Sequence, residues 1–379
     1  MRKFFYQILC VSLLFSCKSQ LSPIELALNS NNEKILKVKK NISSHDLQIK
    51  LSVINTDKGK NKFKDYNYQI VEKNYFYPAS TVKLPIAIFA MEKLNENPEI
   101  NLDTPFKVEN DSIITTIRKE IISVFSISSN ESNNRLFEFL GQDYINEKLK
   151  QKGMRKSKIF HRLSIENSSD TKTKKLIFHP NDSLIVEFPS RNNKNLEKLN
   201  LNKLYKGIGH INNKGVLISK PIDFSRRNYL PINELNHLIK LIFFPEKFKN
   251  KNKLKLEENQ IAFLKKSMSI LPKDAGYDRE KYFDSYVKFF VYGDKKEINS
   301  DKIKIFNKVG SAYGYLTEGA YIKTDNISII LSATIKVNNN HIYNDDVYEY
   351  DSIGIPFFAE LGREIIRIVQ SKQYIWNDY

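Results

Sequence analysis

The chain of 379 residues contains only two cysteines, Cys10 and Cys17, and both lie close to its N-terminus. Residues 18–379 therefore contain no thiol. This excludes a disulfide, a cysteine nucleophile, an iron–sulfur cluster and a cysteine-ligated zinc site from that part of the chain. Stability must come from a packed core. A chain of this length, with 41% hydrophobic residues, has enough apolar surface to form one.

The N-terminal segment has the organisation of an export signal. A short basic start precedes an apolar stretch that is too short to span a membrane. The stretch ends in LFSC, Leu14 to Cys17, which resembles the bacterial lipobox. The resemblance implies a signal peptide over residues 1–16, lipid on Cys17 and a tether over 17–22; an ordinary secretory signal is the alternative. We therefore expect a membrane-anchored envelope lipoprotein, on the periplasmic side, with one domain over residues 23–379.

Acidic residues are outnumbered by basic ones, 43 to 60, which gives a net charge of +17. The lysines are spread along the whole chain, and no basic motif is interleaved with aromatic residues. A nucleic-acid partner is therefore not expected. Attraction to acidic envelope polymers, or a compositional bias without function, are the two alternatives that remain open.

Histidine is also scarce, and its spacing does not suggest a metal site. The six histidines are at positions 45, 161, 179, 210, 237 and 341, and we interpret them as surface or structural residues. The acidic stretch NDDVYEYD over 344–351 has oxygen ligands that calcium accepts, but it is typical of a solvated turn. We expect neither a metal nor another cofactor, and we expect a monomer.

Hydrophobic periodicity predicts an α/β plus all-α fold with two lobes. Helical spacing is found over 23–40, 80–94, 131–141, 143–153, 231–244, 256–271 and 355–370. Strand-like patterns are found over 46–54, 66–78, 282–293, 303–314, 318–325 and 327–337. The order predicts an antiparallel sheet built from both chain ends and flanked by helices, with a helical lobe in the middle.

The stretch YFYPASTVKLPIAIFAMEKLNE contains a Ser-x-x-Lys pair, Ser80 and Lys83, at the start of a helical pattern. Residues three apart share one face of a helix, so the amine can reach the hydroxyl. The alternative is an ordinary helix-capping serine. A second such pair, Ser285 and Lys288, lies in a strand-like pattern, where residues three apart face opposite ways.

Two further motifs follow in the chain. Ser128-Ser129-Asn130 precedes a predicted helix that also carries Asn134, and Lys308-Val309-Gly310 lies on a predicted strand. Ser-x-x-Lys, Ser-Asp-Asn and Lys-Thr-Gly, in this order, form the motif set of class A β-lactamases and penicillin-binding proteins. The chain resembles this family over most of residues 23–370, with an unmatched insertion at about 167–230.

The resemblance implies acyl transfer at Ser80. Its hydroxyl would attack a carbonyl, and a neutral Lys83 would take its proton. The backbone N–H groups of Ser80 and Ser311 would form the oxyanion hole.

Four other residues receive roles from the same resemblance. Ser128 would pass a proton to the leaving nitrogen, and Asn130 would hold Lys83 and a substrate amide. Lys308 would orient Ser128 and attract a substrate carboxylate, while Gly310 would let the substrate lie against its strand.

The motifs also depart from the family. Ser129 replaces an aspartate, and Val309 replaces a hydroxyl-bearing residue for which Ser311 is the nearest substitute. In the family, a loop glutamate activates the deacylating water. If Arg162 aligns with the family's loop arginine, Ser164 takes the glutamate position. Glu166 lies two residues further on, either as a solvated carboxylate or as a catalytic base after a loop shift.

We therefore expect a class A β-lactamase-like serine hydrolase that acts on β-lactams or D-alanyl peptides of the cell wall. The first alternative is a penicillin-binding D,D-peptidase or esterase with slow deacylation. The second is a binding lipoprotein that has lost turnover.

Overall fold

The fold was analysed in a computed structural model, which describes residues 21–372. The predicted signal segment, with Cys10 and Cys17, lies outside the described residues. The α-helices within that range are α1 Pro23–Leu28, α2 Glu33–Lys39, α3 Lys83–Leu94, α4 Ile117–Ser126, α5 Asn130–Leu140, α6 Gln142–Gln151, α7 Ile232–Phe243, α8 Glu258–Ser269 and α9 Ile355–Gln370. None of them is long and apolar enough to cross a membrane.

One five-stranded antiparallel sheet joins the two ends of the chain, as predicted. Its strands are β1 Gln48–Asp57, β2 Lys60–Tyr68, β11 Lys304–Ala312, β12 Tyr315–Lys323 and β13 Ser328–Lys336, in the order β11-β12-β13-β1-β2. The other strands are β3 Phe106–Val108, β4 Ile114–Thr115, β5 Leu176–Phe178, β6 Val186–Phe188, β7 Tyr205–Lys206, β8 Gly209–Ile211, β9 Leu217–Ile218, β10 Ile222–Asp223 and β14 Ile342–Tyr343. The short strands from β5 to β10 lie in the insertion.

Three buried clusters hold the elements together. One fills the helical lobe around α3 and extends to α7, and a second joins the sheet to α1, α2 and α9. The third is rich in aromatic residues: Tyr75, Phe76 and Tyr77 pack with Phe224 and Tyr229 of the insertion. The insertion is therefore packed against the segment that leads into Ser80.

Four sequence predictions need correction. The stretch 282–293 is not a strand but a series of turns, because Val287 and Phe289–Tyr292 are buried without alternation and Phe290 N donates to the carboxylate of Glu318. Ser285 and Lys288 therefore do not lie on a strand. Their side chains bond to different partners, since the Ser285 hydroxyl donates to Lys295 O and the Lys288 amine donates to Asn307 Oδ1.

The return strand of the first hairpin begins earlier than predicted. Lys58 and Gly59 both have positive φ, 47° and 74°, so a two-residue turn leads directly into β2. The predicted helical run 23–40 is divided into α1 and α2. The helix predicted from Ser80 begins as a 3₁₀ turn, Ala79–Val82, and becomes α-helical at Lys83.

Candidate active site

Ser80 lies in the 3₁₀ turn that precedes α3, half-buried at the wall of a large cavity. Ala79, directly before it, has a φ of 48°, a left-handed conformation that non-glycine residues rarely adopt. Strained residues of this kind concentrate at functional sites. Pro85 is tolerated in the first turn of α3 because N–H groups there have no intrahelical acceptor.

Lys83 is fully buried, and its amine points toward the segment before α5. Nζ donates to Asn130 Oδ1 at 2.7 Å and to Ser128 Oγ at 3.4 Å, and it also donates to the backbone carbonyl of Ser128. The Ser80 hydroxyl makes no hydrogen bond within the described residues. Burial lowers the pKa of Lys83 to about 7, while the charge of Glu131 acts in the opposite direction. A large fraction of this amine is therefore neutral near pH 7.

Ser128 is the meeting point of two amines. Lys308 Nζ donates to Ser128 Oγ at 2.8 Å and to Val309 O at 2.9 Å. Burial lowers the pKa of Lys308 well below its usual value, and the neighbouring charge of Lys83 lowers it further. Ser128 itself has a φ of 58°. The hydroxyl thus sits between two buried amines, in an arrangement suited to relaying a proton.

Strand β11 brings its Lys308-Val309-Gly310 motif against the Ser80 turn. A Cβ on Gly310 would lie 2.5 Å from Ser80 N and 2.9 Å from Pro78 O, so only glycine fits here. Ser311 is exposed in the same cavity as Ser80, whereas Val309 is buried in the second core cluster. Valine gives position 309 no hydroxyl to offer the cavity. The nearest hydroxyl on this strand that lines the cavity is that of Ser311.

The segment after Arg162 closes the other side of the site. Asn130 Nδ2 donates to Ser164 Oγ at 3.0 Å, so Ser164 is the residue that meets the Lys83–Asn130 pair. Glu166 also lines the cavity, but its side chain is exposed and makes no hydrogen bond or ion pair with a described residue. A carboxylate in contact with the amide of Asn130 is thus lacking within the described chain.

The sequence motifs point to Arg162 and Asn134 but not to Glu138. The Arg162 guanidinium forms a buried pair with Glu138, with Nη2–Oε2 at 3.0 Å, and it also donates to Asp170 O and Lys172 O. Asn134 exchanges two hydrogen bonds with the backbone of Leu163, at 2.8 and 2.9 Å. The available signal in the sequence was Glu138 itself, a carboxylate between Phe137 and Phe139 in a helix with many apolar residues. A carboxylate buried in this way needs a charged partner.

The structure thus brings together Ser80, Asn130, Ser164, Glu166 and Ser311 around one cavity, with Lys83, Ser128, Lys308 and Gly310 directly behind it. Ser129 caps α5, because its hydroxyl accepts from Ser132 N at 3.1 Å. Among the described residues, no group of three or more histidine, aspartate or glutamate side chains could hold a metal ion.

Comparison with known proteins identifies the fold. The fold is that of serine β-lactamases and a penicillin-binding protein. The β-lactamase from Sphaerobacter thermophilus DSM 20745 is 12% identical over 92% of this chain and 97% of that chain, with a TM-score of 0.51. The TLA-3 extended-spectrum β-lactamase is 13% identical over 88% of this chain and 97% of that chain, with a TM-score of 0.51. A mutant of PBP-A, in an acyl-enzyme complex with penicillin G, is 13% identical over 92% of this chain and 96% of that chain, with a TM-score of 0.50.

At the level of sequence, residues 33–184 match the model of the β-lactamase enzyme family. No curated protein sequence matches the chain. The family match and the shared fold confirm the predicted resemblance to class A β-lactamases and penicillin-binding proteins, and with it the two-lobed fold. The roles assigned to individual residues remain predictions.

Proposed function

We propose that the protein is a β-lactamase-like serine hydrolase in which Ser80 is acylated by β-lactams or D-alanyl peptides. The observation that carries this proposal is the convergence of two buried amines, Lys83 and Lys308, on Ser128 beside the Ser80 turn. The fold supports it, since all three structures compared above share it.

In the proposed reaction, Ser80 Oγ attacks the substrate carbonyl and the carbon–nitrogen bond breaks. Lys83, neutral because it is buried, accepts the hydroxyl proton. Ser128 gives its own proton to the leaving nitrogen and is reprotonated from the Lys83 side. The N–H groups of Ser80 and Ser311 stabilise the oxyanion, and Asn130 binds an amide of the acyl group.

Deacylation is slow in this proposal. Ser164 occupies the contact with Asn130, and a serine does not activate water as a carboxylate does. Glu166 is exposed and unpaired among the described residues, so its contribution requires a shift of the loop. This feature favours the alternative of a penicillin-binding D,D-peptidase or esterase over an efficient β-lactamase.

The other assignments are part of the same proposal. Residues 23–379 form one catalytic domain with an insertion at 167–230. Lipid on Cys17 anchors this domain, as a monomer, to a membrane of the bacterial envelope. The second alternative is a binding lipoprotein without turnover. It is favoured by one observation, the absence of a hydrogen bond between the Ser80 hydroxyl and any described residue.

Steady-state assays separate these functions. The purified protein and its Ser80→Ala variant are given benzylpenicillin in one series and an acylated D-alanyl-D-alanine peptide in another. Release of penicilloate or D-alanine by the wild type, but not by the variant, supports a hydrolase and identifies its preferred substrate. If neither is turned over and Ser80 is never acylated, the hydrolase proposal is wrong and the binding function takes its place.

A further inference from the structure

The active-site cavity is larger than a β-lactam needs. Its volume is about 1770 Å³, whereas pockets for drug-sized ligands have about 300–1,000 Å³. The additional space lies between the insertion and the segment that follows β13. The two walls are joined because β8 pairs with β14 through Ile342 and Gly209. The cavity thus has a defined region beyond the catalytic residues.

Arg227 lines this region and has no partner there. Its side chain is half-buried and makes no hydrogen bond or ion pair with any described residue. Four carboxylates also line the cavity, Glu166, Asp170, Asp223 and Asp346, and none of them pairs with it. The neighbouring Arg226, in contrast, donates to Leu196 O at 2.9 Å. A partly desolvated guanidinium with unused donors is a strong site for an anion.

The backbone that carries Arg227 is fixed on both sides. Asn228 Oδ1 accepts from Phe160 N at 2.8 Å and from His161 N at 3.1 Å, and its carbonyl accepts from the Tyr75 hydroxyl at 3.0 Å. On the other side, Arg227 N donates to Phe224 O at 3.0 Å. The guanidinium is therefore presented from a rigid support rather than from a mobile loop tip.

The surroundings of Arg227 place it near the nucleophile turn. Phe224 packs on Tyr77, three residues before Ser80, with ring centroids 5.9 Å apart. Burial, together with the charge of Arg227, lowers the pKa of His161 to about 4, so the His161 and Arg227 side chains lie within electrostatic reach of each other. His161 and Ser164 belong to the same segment, which contacts Asn130, the residue assigned above to the amide of the acyl group.

We propose that Arg227 is the anchor of an anion subsite on the acyl side of the cleft, which selects acyl donors with a carboxylate on that side. This inference rests on the proposed acylation at Ser80 and specifies its substrate class. The family resemblance assigns Lys308 to the carboxylate next to the scissile bond, so the preferred substrate of this proposal carries two carboxylates. The planar fork of a guanidinium binds a carboxylate through two parallel hydrogen bonds.

Two penicillins test the subsite, because carbenicillin differs from benzylpenicillin by one carboxylate on its acyl side chain. Acylation rate constants for both are measured in the wild type and in Arg227→Gln, Arg227→Lys and Arg155→Gln. Arg155 is exposed and lies outside the cavity, so its variant removes the same charge elsewhere. We expect Arg227→Gln to lower the carbenicillin-to-benzylpenicillin ratio about tenfold. Arg227→Lys gives an intermediate ratio, and Arg155→Gln leaves it unchanged.

A second measurement is independent of acylation. In the Ser80→Ala background, titration calorimetry gives the dissociation constants of both penicillins with and without Arg227→Gln. If carbenicillin binds more tightly than benzylpenicillin only when Arg227 is present, the subsite is supported. If the wild type is nevertheless not acylated, the hydrolase proposal is wrong and the subsite proposal stands. An equal loss for both penicillins, an unchanged ratio, or no binding of either would overturn the subsite.

Discussion

The protonation state of Lys83 determines how the proposed acylation depends on pH. A lysine with the ordinary pKa of 10.5 is about 0.03% neutral at pH 7. With the pKa lowered to about 7 by burial, about half of the Lys83 amine is neutral at that pH. Burial therefore raises the concentration of the free base by a factor of about 10³. Below pH 7, the neutral fraction falls about tenfold for each pH unit.

The assay is the rate of Ser80 acylation by benzylpenicillin between pH 5 and pH 9, followed in single-turnover experiments. We expect the rate to rise with pH through about 7 and then to level off. Lys83→Arg keeps the positive charge but cannot lose its proton, so its acylation should be slower by at least about a hundredfold. A rate that is constant from pH 5 to pH 8, or a Lys83→Arg variant that is as fast as the wild type, would refute the role of Lys83 as base.

Three further variants follow from the geometry. Gly310→Ala places a Cβ 2.5 Å from Ser80 N. We expect acylation to slow by at least about tenfold and the free energy of unfolding in urea to fall by about 1–3 kcal/mol. An unaffected acylation rate would contradict the close approach of the two backbones. Glu138→Gln leaves the buried Arg162 without its counter-ion. We expect the free energy of unfolding to fall by about 3 kcal/mol. Unchanged thermal and urea stability would argue against the ion pair. Ser164→Glu should shorten the acyl-enzyme lifetime at least about tenfold, as measured by recovery of free enzyme, whereas an unchanged lifetime with normal acylation would refute the importance of this position.

Much of the fold could be predicted from local patterns. The strands β11, β12 and β13 and helix α9 have strong periodicity, and the structure contains them close to the expected bounds. The apolar residues of the stretch 282–293 suggest a strand. Its backbone N–H groups instead donate to carbonyls of its own turns and to the Glu318 carboxylate, which no local pattern reveals.

The candidate site was predictable where the family motifs define it. Ser80, Ser128 and Lys308 are brought together although they are far apart in sequence, and only the motif order indicated this. Arg227 could not be found in the same way. Its significance depends on a cavity, on a rigid neighbour and on the absence of a partner within the described residues, and these are properties of the folded chain.

The most direct test of the account is an intact-mass time course of the purified protein with benzylpenicillin, with peptide mapping of the adduct and Ser80→Ala as the control. The account predicts a single penicilloyl adduct on the peptide that contains Ser80, persisting for many minutes after free penicillin is removed and absent from the variant. An adduct at another residue, or no adduct together with intact penicillin, would contradict acylation at Ser80. Rapid turnover without an accumulating adduct would contradict the slow deacylation inferred from Ser164.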